Sequence, residues 1–233
     1  MLGAPRLHLR EVDSTNMWAQ RLAVSGAPHG ALVTAAAQTA GHGRQGRAWV
    51  TPAGRALACS LVLRDPPRLL PMLTALAVAD VADRLDTNGR TAAIKWPNDV
   101  LLDGRKVAGI LAEARPQDGW AVLGVGLNVA VRIEDLPEDL RATAGTLGLE
   151  PRDVEPVLGR LLAALERALA LETPALLDAW RARDALRGRD VAWADGHGRA
   201  AGIDGDGRLV VDLPEGGRTA LEAGEVHLRP PAP

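Results

Sequence analysis

The stretch GHGRQGRAW at residues 41–49 limits the fold and chemistry of this chain more than any other segment. It contains three glycines, two arginines and one histidine, and it ends at Trp49. Glycine lets a backbone turn sharply and approach a ligand closely, and arginine supplies forked donors suited to phosphate and carboxylate groups. An aromatic ring beside such a loop can stack on a base. The segment therefore predicts a site for a nucleotide or an activated acyl phosphate.

Two common phosphate-binding motifs match this loop in part and are disfavoured. The glycine spacing fits the dinucleotide fingerprint, with Asp65 at a suitable distance, but that fingerprint needs a helix to open at the third glycine. The chain instead continues turn-like through residues 48–54 and predicts a strand over residues 56–63. A P-loop needs Lys followed by Ser or Thr, whereas Arg47-Ala48 stand there. A solvated turn with incidental arginines stays open as the alternative.

The amino-acid composition limits which classes of protein this chain can belong to. The chain has 233 residues, 47% of them apolar, which is ample for a packed core. With six Trp and neither Phe nor Tyr, that core must consist of Leu, Val, Ala and Ile. The formal net charge of −2 argues against a protein that coats nucleic acid nonspecifically, since such proteins are usually strongly basic. Cys59 is the single cysteine, so we expect an inert buried thiol, with a catalytic thiol as the minor alternative.

The N-terminal residues lack the apolar core of a signal peptide. No uninterrupted apolar run reaches the roughly 20 residues of a membrane helix. We therefore expect a cytoplasmic protein with neither a membrane nor a nucleic acid as partner.

Hydrophobic periodicity predicts alternating strands and helices up to about residue 186 and a different pattern beyond it. Strands are predicted over residues 6–12, 31–38, 56–63, 92–95, 100–102, 107–112 and, as one long strand or a pair, 120–131. Helices are predicted from a cap within residues 13–16 to residue 24, and over 69–85, 153–171 and 174–186. Beyond residue 186, short strands over 191–193, 200–203, 209–213 and 226–228 alternate with glycine turns, which is typical of a small β-barrel. We expect two domains, residues 1–186 and 187–233.

A second unusual segment is KWPND at residues 95–99. Lys95 ends a predicted strand, and the turn that follows contains the amide of Asn98 and the carboxylate of Asp99. A turn whose polar side chains only satisfy the local backbone is the alternative.

The Asp-Gly pair at residues 103–104 predicts a hairpin that places Lys106 just after the turn. Gly109 follows three residues later, so on a regular strand it would point away from Lys106. Its missing side chain would admit a ligand to the backbone or allow tight packing. In the segment GVGLN at residues 124–128, two glycines leave one face of the predicted strand without side chains. Asn128 is either a buried amide with satisfied hydrogen bonds or a ligand contact.

Taken together, these segments resemble the catalytic core of biotin–protein ligases. The resemblance covers nearly the whole chain, because the tail also resembles the small C-terminal domain of that family. The matching segments, in order, are STN at 14–16, QTAGHGRQGRAW at 38–49, KWPND at 95–99, KVAG at 106–109, GVGLN at 124–128, and in the tail GID at 202–204, GRL at 207–209 and GEVHLR at 224–229.

The resemblance implies an α/β (α+β) fold: a mixed sheet with helices, similar to class II aminoacyl-tRNA synthetases, followed by an SH3-like barrel. It implies that biotin and ATP form biotinyl-5′-AMP, and that the biotinyl group then passes to one lysine of a biotin carboxyl carrier protein. ATP and Mg²⁺ would be required, with Mg²⁺ bound mainly through the ATP phosphates. For assembly two alternatives stay open: an exposed sheet edge would pair two subunits into a homodimer or dock the carrier.

Site residues follow from the matching motifs. The resemblance assigns catalysis to Lys106 and Arg44, with Asp99 assisting the metal or the incoming amine. It implies a biotin pocket lined by Ser14, Thr15, Asn16, Gln38, Gly41, His42, Gly43, Arg44, Lys106 and Gly109. It implies ATP contacts from Arg47, Trp49, Lys95, Asn98 and Asn128.

One residue departs from the family pattern, since many members carry Arg where His42 stands. Histidine is mostly uncharged at neutral pH, so the loop is expected to hold the adenylate less by charge at this position. The glycine-rich loop and residues 132–145 are expected to act as flaps that exclude water from the adenylate.

Two other functions remain as alternatives. Lipoate–protein ligases share the fold and the adenylate chemistry but differ in their lysine and loop motifs. A biotin-responsive repressor is disfavoured, because the catalytic core is expected to begin within residues 7–16, which leaves no room ahead of it for a winged-helix domain.

Overall fold

A seven-stranded mixed sheet forms the larger part of the protein. The computed structural model describes residues 1–86, 88–222, 224 and 226–228. The strand order is β1-β2-β3-β7-β6-β5-β4; β1 and β2 are parallel, and every other neighbouring pair is antiparallel. The strands are β1 Arg6–Val12, β2 Leu32–Gln38, β3 Ala56–Arg64, β4 Ala93–Lys95, β5 Asp99–Leu102, β6 Arg105–Arg115 and β7 Trp120–Asn128.

Helices pack against both faces of this sheet. They are α1 Thr15–Val24, α2 Leu70–Leu85, α3 Glu138–Arg141, α4 Val154–Leu169 and α5 Thr173–Arg181. In α4 the buried residues recur at helical spacing, from Val157 and Leu158 through Leu161 to Leu165. This face packs with α2 against the apolar side of the sheet, forming the main core.

The opposite face of the sheet is divided between a helix and a cleft. Ala19 and Ala23 of α1 pack against Val33, Val62 and Val122 at one end. At the other end the strands carry small residues in place of valine, and the cleft described below lies there. The change from valine to glycine and alanine along β3 and β7 therefore positions the site.

The C-terminal segment forms a second, antiparallel sheet with the order β11-β10-β9-β8-β12. Its strands are β8 Asp190–Trp193, β9 Gly196–Ile203, β10 Leu209–Asp212, β11 Arg218–Leu221 and β12 His227–Leu228. It packs directly on the large sheet's domain: Trp96 Nε1 donates to the carbonyl of Gly207 at 3.0 Å. Val191 and Leu209 belong to the same core cluster as the large sheet. The division of the chain at residue 186 stays a prediction.

The predicted class, a mixed α/β sheet followed by a small β domain, is confirmed. Several predicted bounds and elements differ from those observed. Residues 120–131 form one strand that ends at Asn128, and strand β11 was not expected. Helix α5 ends at Arg181 because residues 183–185 hydrogen-bond to Ile94 of β4 on both sides of Asp184. Glu225 and Arg229 of the tail motif lie outside the described residues.

Candidate active site

A cleft of about 810 Å³ lies on the uncovered end of the large sheet. The loop at 41–49, the segment 132–145 and β12 border it, so both sheets contribute to its wall. It brings together fifteen of the sixteen predicted site residues: Ser14, Thr15, Asn16, Gln38, His42, Gly43, Arg44, Arg47, Trp49, Lys95, Asn98, Asp99, Lys106, Gly109 and Asn128. The exception is Gly41, where a Cβ would lie 2.5 Å from the carbonyl oxygen of Trp49.

Glycines of two paired strands form the floor of the cleft. Gly109 of β6 lies opposite Gly126 of β7, and Trp49 lies on both. A Cβ on Gly126 would come within 2.3 Å of Trp49 Cε2, and one on Gly109 within 3.2 Å of Trp49 Cζ3. The glycines therefore let the indole ring lie directly on the sheet backbone. The Trp49 Nε1 atom is buried and has no hydrogen-bond partner among the described residues.

The expectation that Gly109 points away from Lys106 is wrong. A register shift between β5 and β6 pairs Val100 with Ala108 but Leu101 with Lys106, which leaves Val107 as the extra residue of a bulge. The bulge changes the alternation of the strand, so that Lys106 Cε lies 3.2 Å from the position of a Gly109 Cβ. Lys106 and Gly109 therefore face the cleft together.

Positive charge is concentrated around Asp99. Lys106 Nζ lies 2.7 Å from Asp99 Oδ1 and 5.6 Å from the centre of the Trp49 ring. Burial lowers the pKa of Lys95, as do the charges of Lys106 and Arg47, while Asp99 opposes this effect. The site is therefore predisposed to accept an anion that would relieve the repulsion among its cations.

Arg44 reaches the same centre from the loop. Burial lowers the pKa of its guanidinium, and the charge of Asp99 opposes that shift. The Arg44 Nη1 atom lies 3.5 Å from Asn98 Oδ1, at the limit of hydrogen bonding. Arg44 and Lys106 thus both lie within the electrostatic reach of Asp99, as the ligase interpretation requires.

A polar network occupies the other end of the cleft, where Asn16 is buried above Gly124. A Cβ on Gly124 would lie 2.2 Å from Asn16 Oδ1, so only glycine admits this amide. Asn16 Nδ2 donates to Glu113 Oε2 at 2.7 Å, and Asn16 Oδ1 lies 2.6 Å from the hydroxyl of Ser60. Asn16 is thus held between a carboxylate on β6 and a hydroxyl on β3.

The network continues from Ser60 to β2. Ser60 Oγ lies 2.8 Å from Thr15 Oγ1, which lies 3.1 Å from Gln38 Oε1. Gln38 Oε1 also accepts the Thr15 backbone N–H at 2.8 Å, and Gln38 Nε2 donates to Thr51 Oγ1 at 3.1 Å. These bonds fix which end of the Gln38 amide faces Thr15.

The network has more acceptors than protons. Three oxygen–oxygen contacts, Asn16–Ser60, Ser60–Thr15 and Thr15–Gln38, share the two hydroxyl protons of Ser60 and Thr15. One contact must therefore lack a proton. Since buried polar groups are normally hydrogen-bonded, this end of the cleft suits a ligand that brings N–H donors.

The two other asparagines that line the cleft hydrogen-bond to neighbouring backbone. Asn98 Nδ2 donates to the carbonyl of Ile110 at 2.6 Å, and Asn128 Nδ2 donates to the carbonyl of Gly145 at 2.9 Å. The interpretation of Asn128 as a satisfied buried amide is confirmed, and its role in ATP binding stays a prediction.

The glycine-rich loop is held as a short hairpin. Gly43 N donates to Arg47 O, and Trp49 N donates to Gly41 O, each at 2.8 Å. A single 3₁₀ turn spans Arg44–Gly46, and no α-helix opens at Gly46. The exclusion of the dinucleotide-binding fingerprint is therefore confirmed.

The segment 132–145 lies beside Lys106 and meets the loop. Lys106 N donates to Thr143 O, and Gly145 N donates to Lys106 O, each at 2.8 Å. Leu136 of this segment belongs to one apolar cluster with Ala56 of β3 and Val50, the residue directly after the loop. The action of the loop and the segment as flaps stays a prediction.

The sequence patterns do not identify Ser60, Glu113 and His227 as site residues. Ser60 and Glu113 interrupt apolar strands, which is a weak signal by itself. His227 of β12 lines the cleft; burial lowers its pKa, and so do the charges of Lys95 and Arg47. Conversely, Cys59 is the expected inert thiol, since it is 1% exposed and burial raises its pKa to about 12.

Comparison with known proteins agrees with this geometry. The profile of the biotin/lipoate A/B protein ligase family matches residues 9–129, and that of the biotin protein ligase C terminal domain matches residues 188–229. The chain is 38% identical to a biotin–[acetyl-CoA-carboxylase] ligase of Mycobacterium tuberculosis, covering 94% of this chain and 87% of that protein. It is 37% identical to a protein of the same name from Paracoccus denitrificans, covering 94% and 98%, respectively.

A solved structure shows the same fold. A biotin protein ligase from Aquifex aeolicus, in complex with biotin and ATP, superimposes with a TM-score of 0.79 and 26% sequence identity. The match covers 97% of this chain and 99% of that one. The chain belongs to the biotin/lipoate A/B protein ligase family and is an enzyme of the ligase class.

Proposed function

We propose that the protein activates biotin with ATP to form biotinyl-5′-AMP and transfers the biotinyl group to one lysine of a biotin carboxyl carrier protein. The observation that carries this proposal is the pairing, within one cleft, of an acceptor-rich polar end with a cationic centre. The relatives named biotin–[acetyl-CoA-carboxylase] ligase and the biotin and ATP of the Aquifex aeolicus complex support it.

The first step must bring two anions together. An oxygen of the biotin carboxylate attacks the α-phosphorus of ATP, and the bond from that phosphorus to the pyrophosphate oxygen breaks. At about 4 Å, two unit charges repel by roughly 4 kcal/mol at an effective dielectric of 20. Lys106 and Arg44 stand beside Asp99, where they would neutralise this charge as it develops. Arg47 and Lys95 would bind the departing phosphates.

The second step releases AMP. The amine of the carrier lysine attacks the biotinyl carbonyl carbon, the carbon–oxygen bond to AMP breaks, and the amine must lose a proton. Asp99 is our candidate for holding that amine and accepting its proton, because its Oδ1 already binds the ammonium group of Lys106 at 2.7 Å.

Biotin fits the polar end better than lipoate. The ureido ring of biotin offers two N–H donors, whereas the dithiolane ring of lipoate offers none. Thr15, Asn16 and Gln38 present oxygens that share too few protons. A pocket built to bind a donor rejects an analogue that lacks it, because its acceptors are then left unpaired.

The remaining assignments are part of the proposal. Trp49, Asn98 and Asn128 would contact the nucleotide, with Trp49 stacking on adenine. Among residues 1–86, 88–222, 224 and 226–228, no cluster of three or more His, Cys, Asp or Glu side chains could hold a metal. Mg²⁺ would therefore be held mainly by the ATP phosphates, where it would reduce their negative charge.

Assembly and location stay predictions. A homodimer and a sheet edge that docks the carrier stay alternatives, and we expect a cytoplasmic location. In the part of the chain that the structure describes, none of the helices has the length and apolar character needed to span a bilayer.

The proposal is tested by isotope exchange between pyrophosphate and ATP. Biotin should support rapid exchange, lipoate should not, and a carrier protein with its target lysine should then become labelled with biotin. Exchange that depends on lipoate alone would refute the assignment. A gel-shift assay with a biotin-operon promoter tests the repressor alternative, for which we expect no binding.

A further inference from the structure

Glu113 of β6 is the hydrogen-bond partner of one end of the Asn16 amide. Glu113 follows the apolar part of β6 and accepts from Asn16 Nδ2 at 2.7 Å. An ionised carboxylate can only accept hydrogen bonds. The Nδ2 end of Asn16 therefore faces Glu113 and the Oδ1 end faces Ser60, while Asn16 as a whole lines the cleft.

The opposite orientation of Asn16 would satisfy the network without a ligand. Asn16 Nδ2 would then donate to Ser60, Ser60 would donate to Thr15, and Thr15 would donate to Gln38 Oε1. Each of the three contacts, now 2.6, 2.8 and 3.1 Å long, would contain one proton. In that state the pocket would have no surplus acceptor for an incoming N–H group.

We propose that Glu113 is a positioning residue. By holding the Asn16 amide in one orientation, it leaves the polar end of the cleft with more hydrogen-bond acceptors than donors and thereby selects a ureido ligand. The inference rests on the proposed function. Glu113 acts through Asn16, which is 4% exposed and confined above Gly124, so the amide responds to its hydrogen-bond partners rather than to solvent.

The decisive variant is Glu113→Gln, which keeps the shape of the side chain but adds a donor. Its amide can donate to Asn16 Oδ1 and permit the opposite orientation. We expect the KM for biotin in pyrophosphate exchange to rise at least tenfold, while the KM for ATP at saturating biotin changes less than twofold. Glu11→Gln, the same change at an exposed residue of β1, is the matched control and should match the wild type.

A reciprocal pair tests the direction of the hydrogen bond. In Asn16→Asp combined with Glu113→Gln, the donor and acceptor are exchanged, and a carboxylate oxygen again faces Ser60. We expect the biotin KM of this double variant to return to within about threefold of wild type, whereas Asn16→Asp alone places two carboxylates together and should bind biotin weakly. Thermal melting of each variant checks folding.

A purely structural role predicts different results. We expect wild type to discriminate strongly between biotin and an analogue with ring oxygens in place of both ureido N–H groups, and we expect Glu113→Gln to lose most of that discrimination. If Glu113→Gln has normal biotin KM, if the KM values for biotin and ATP rise together, or if the exchanged pair gives no recovery, the inference is wrong. A wild-type protein without biotin-dependent exchange would instead refute the proposed function.

Discussion

Lys106 Nζ lies 2.7 Å from Asp99 Oδ1, and a bulge in β6 turns this lysine toward the same cleft as Gly109. Asp99 and Lys106 sit on neighbouring antiparallel strands, so a short backbone connection holds the ion pair. In the proposed mechanism, the carboxylate that holds Lys106 for the activation step acts again in the transfer step.

Replacing that carboxylate should separate the two steps. In Asp99→Asn the amide can still contact Lys106 but cannot accept the proton of an attacking amine. We expect transfer from biotinyl-5′-AMP to the carrier to slow by about 100-fold or more. Pyrophosphate exchange should fall by less than about tenfold, because the substitution weakens one hydrogen bond to Lys106 and leaves the other groups of the activation step in place. Single-turnover transfer with preformed adenylate measures the first quantity. Equal losses in both steps would show that Asp99 serves only to hold Lys106.

Two loop residues should differ in how strongly they retain the adenylate. Arg44 is partly buried near Asp99, whereas His42 is close to the loop backbone, with Nδ1 3.4 Å from the carbonyl oxygen of Ala40. Because a charged donor to phosphate contributes more than a neutral ring, Arg44→Ala should release biotinyl-5′-AMP faster than His42→Ala does. Stopped-flow displacement by unlabelled adenylate measures both rates. The reverse order would show that the histidine is the main contact.

Adding one methyl group to the floor should disturb the site more than it disturbs the fold. In Gly126→Ala the new Cβ would lie 2.3 Å from Trp49 Cε2, so the indole must move off the sheet. We expect biotin-dependent exchange to fall at least tenfold, with a loss of stability of about 1–3 kcal/mol from overpacking.

Gly159→Ala is the matched control. Gly159 is an exposed residue of α4, and no described atom lies within 4 Å of the position its Cβ would take. This substitution should raise stability by about 0.5–1 kcal/mol and leave exchange unchanged. If Gly126→Ala behaves in the same way, Trp49 is free to move without consequence for the reaction.

Asp184 should make the stability of the protein depend on pH. Its Oδ1 accepts from Leu186 N at 2.9 Å, while its buried Oδ2 has no partner among the described residues. Burial raises its pKa above the ordinary value near 3.8. A raised pKa in the folded state means that folding favours the protonated carboxyl of Asp184. The stabilisation from this neutral carboxyl is present below about pH 4 and is lost as the pH rises and the buried carboxyl must ionise. Asp184→Asn should therefore melt at a higher temperature than wild type at pH 7.

That advantage should shrink toward pH 4, where the wild-type carboxyl becomes neutral as well. Differential scanning calorimetry at pH 4, 5.5 and 7 measures the difference. A constant difference at all three values would show that the gain comes from packing. The control is Asp190→Asn, since Asp190 is exposed at the start of β8.

Much of the fold follows from local patterns. The alternation in β1, the apolar run of β3 and the Asp-Gly turn between β5 and β6 each predict an element close to the one observed. Their backbone conformation depends on neighbours within a few residues. Helix α5 is different, because its end depends on hydrogen bonds to Ile94, about ninety positions earlier in the chain.

The membership of the site is also largely predictable, because glycines, cations and amides in unusual local patterns mark it. Its internal connections are not. Nothing near Glu113 in the sequence indicates a partner at Asn16, and the two are 97 residues apart.

Residue type and short-range spacing are enough to predict most of the strands and helices, with α3 and β11 as exceptions, and the kinds of side chain available for binding an acid and a nucleotide. Only the folded protein shows the direction of Lys106, the orientation of the Asn16 amide and the contact of Trp49 with the sheet. Those properties depend on strand register and on which distant groups share a buried space, and a one-residue bulge is enough to reverse a side chain.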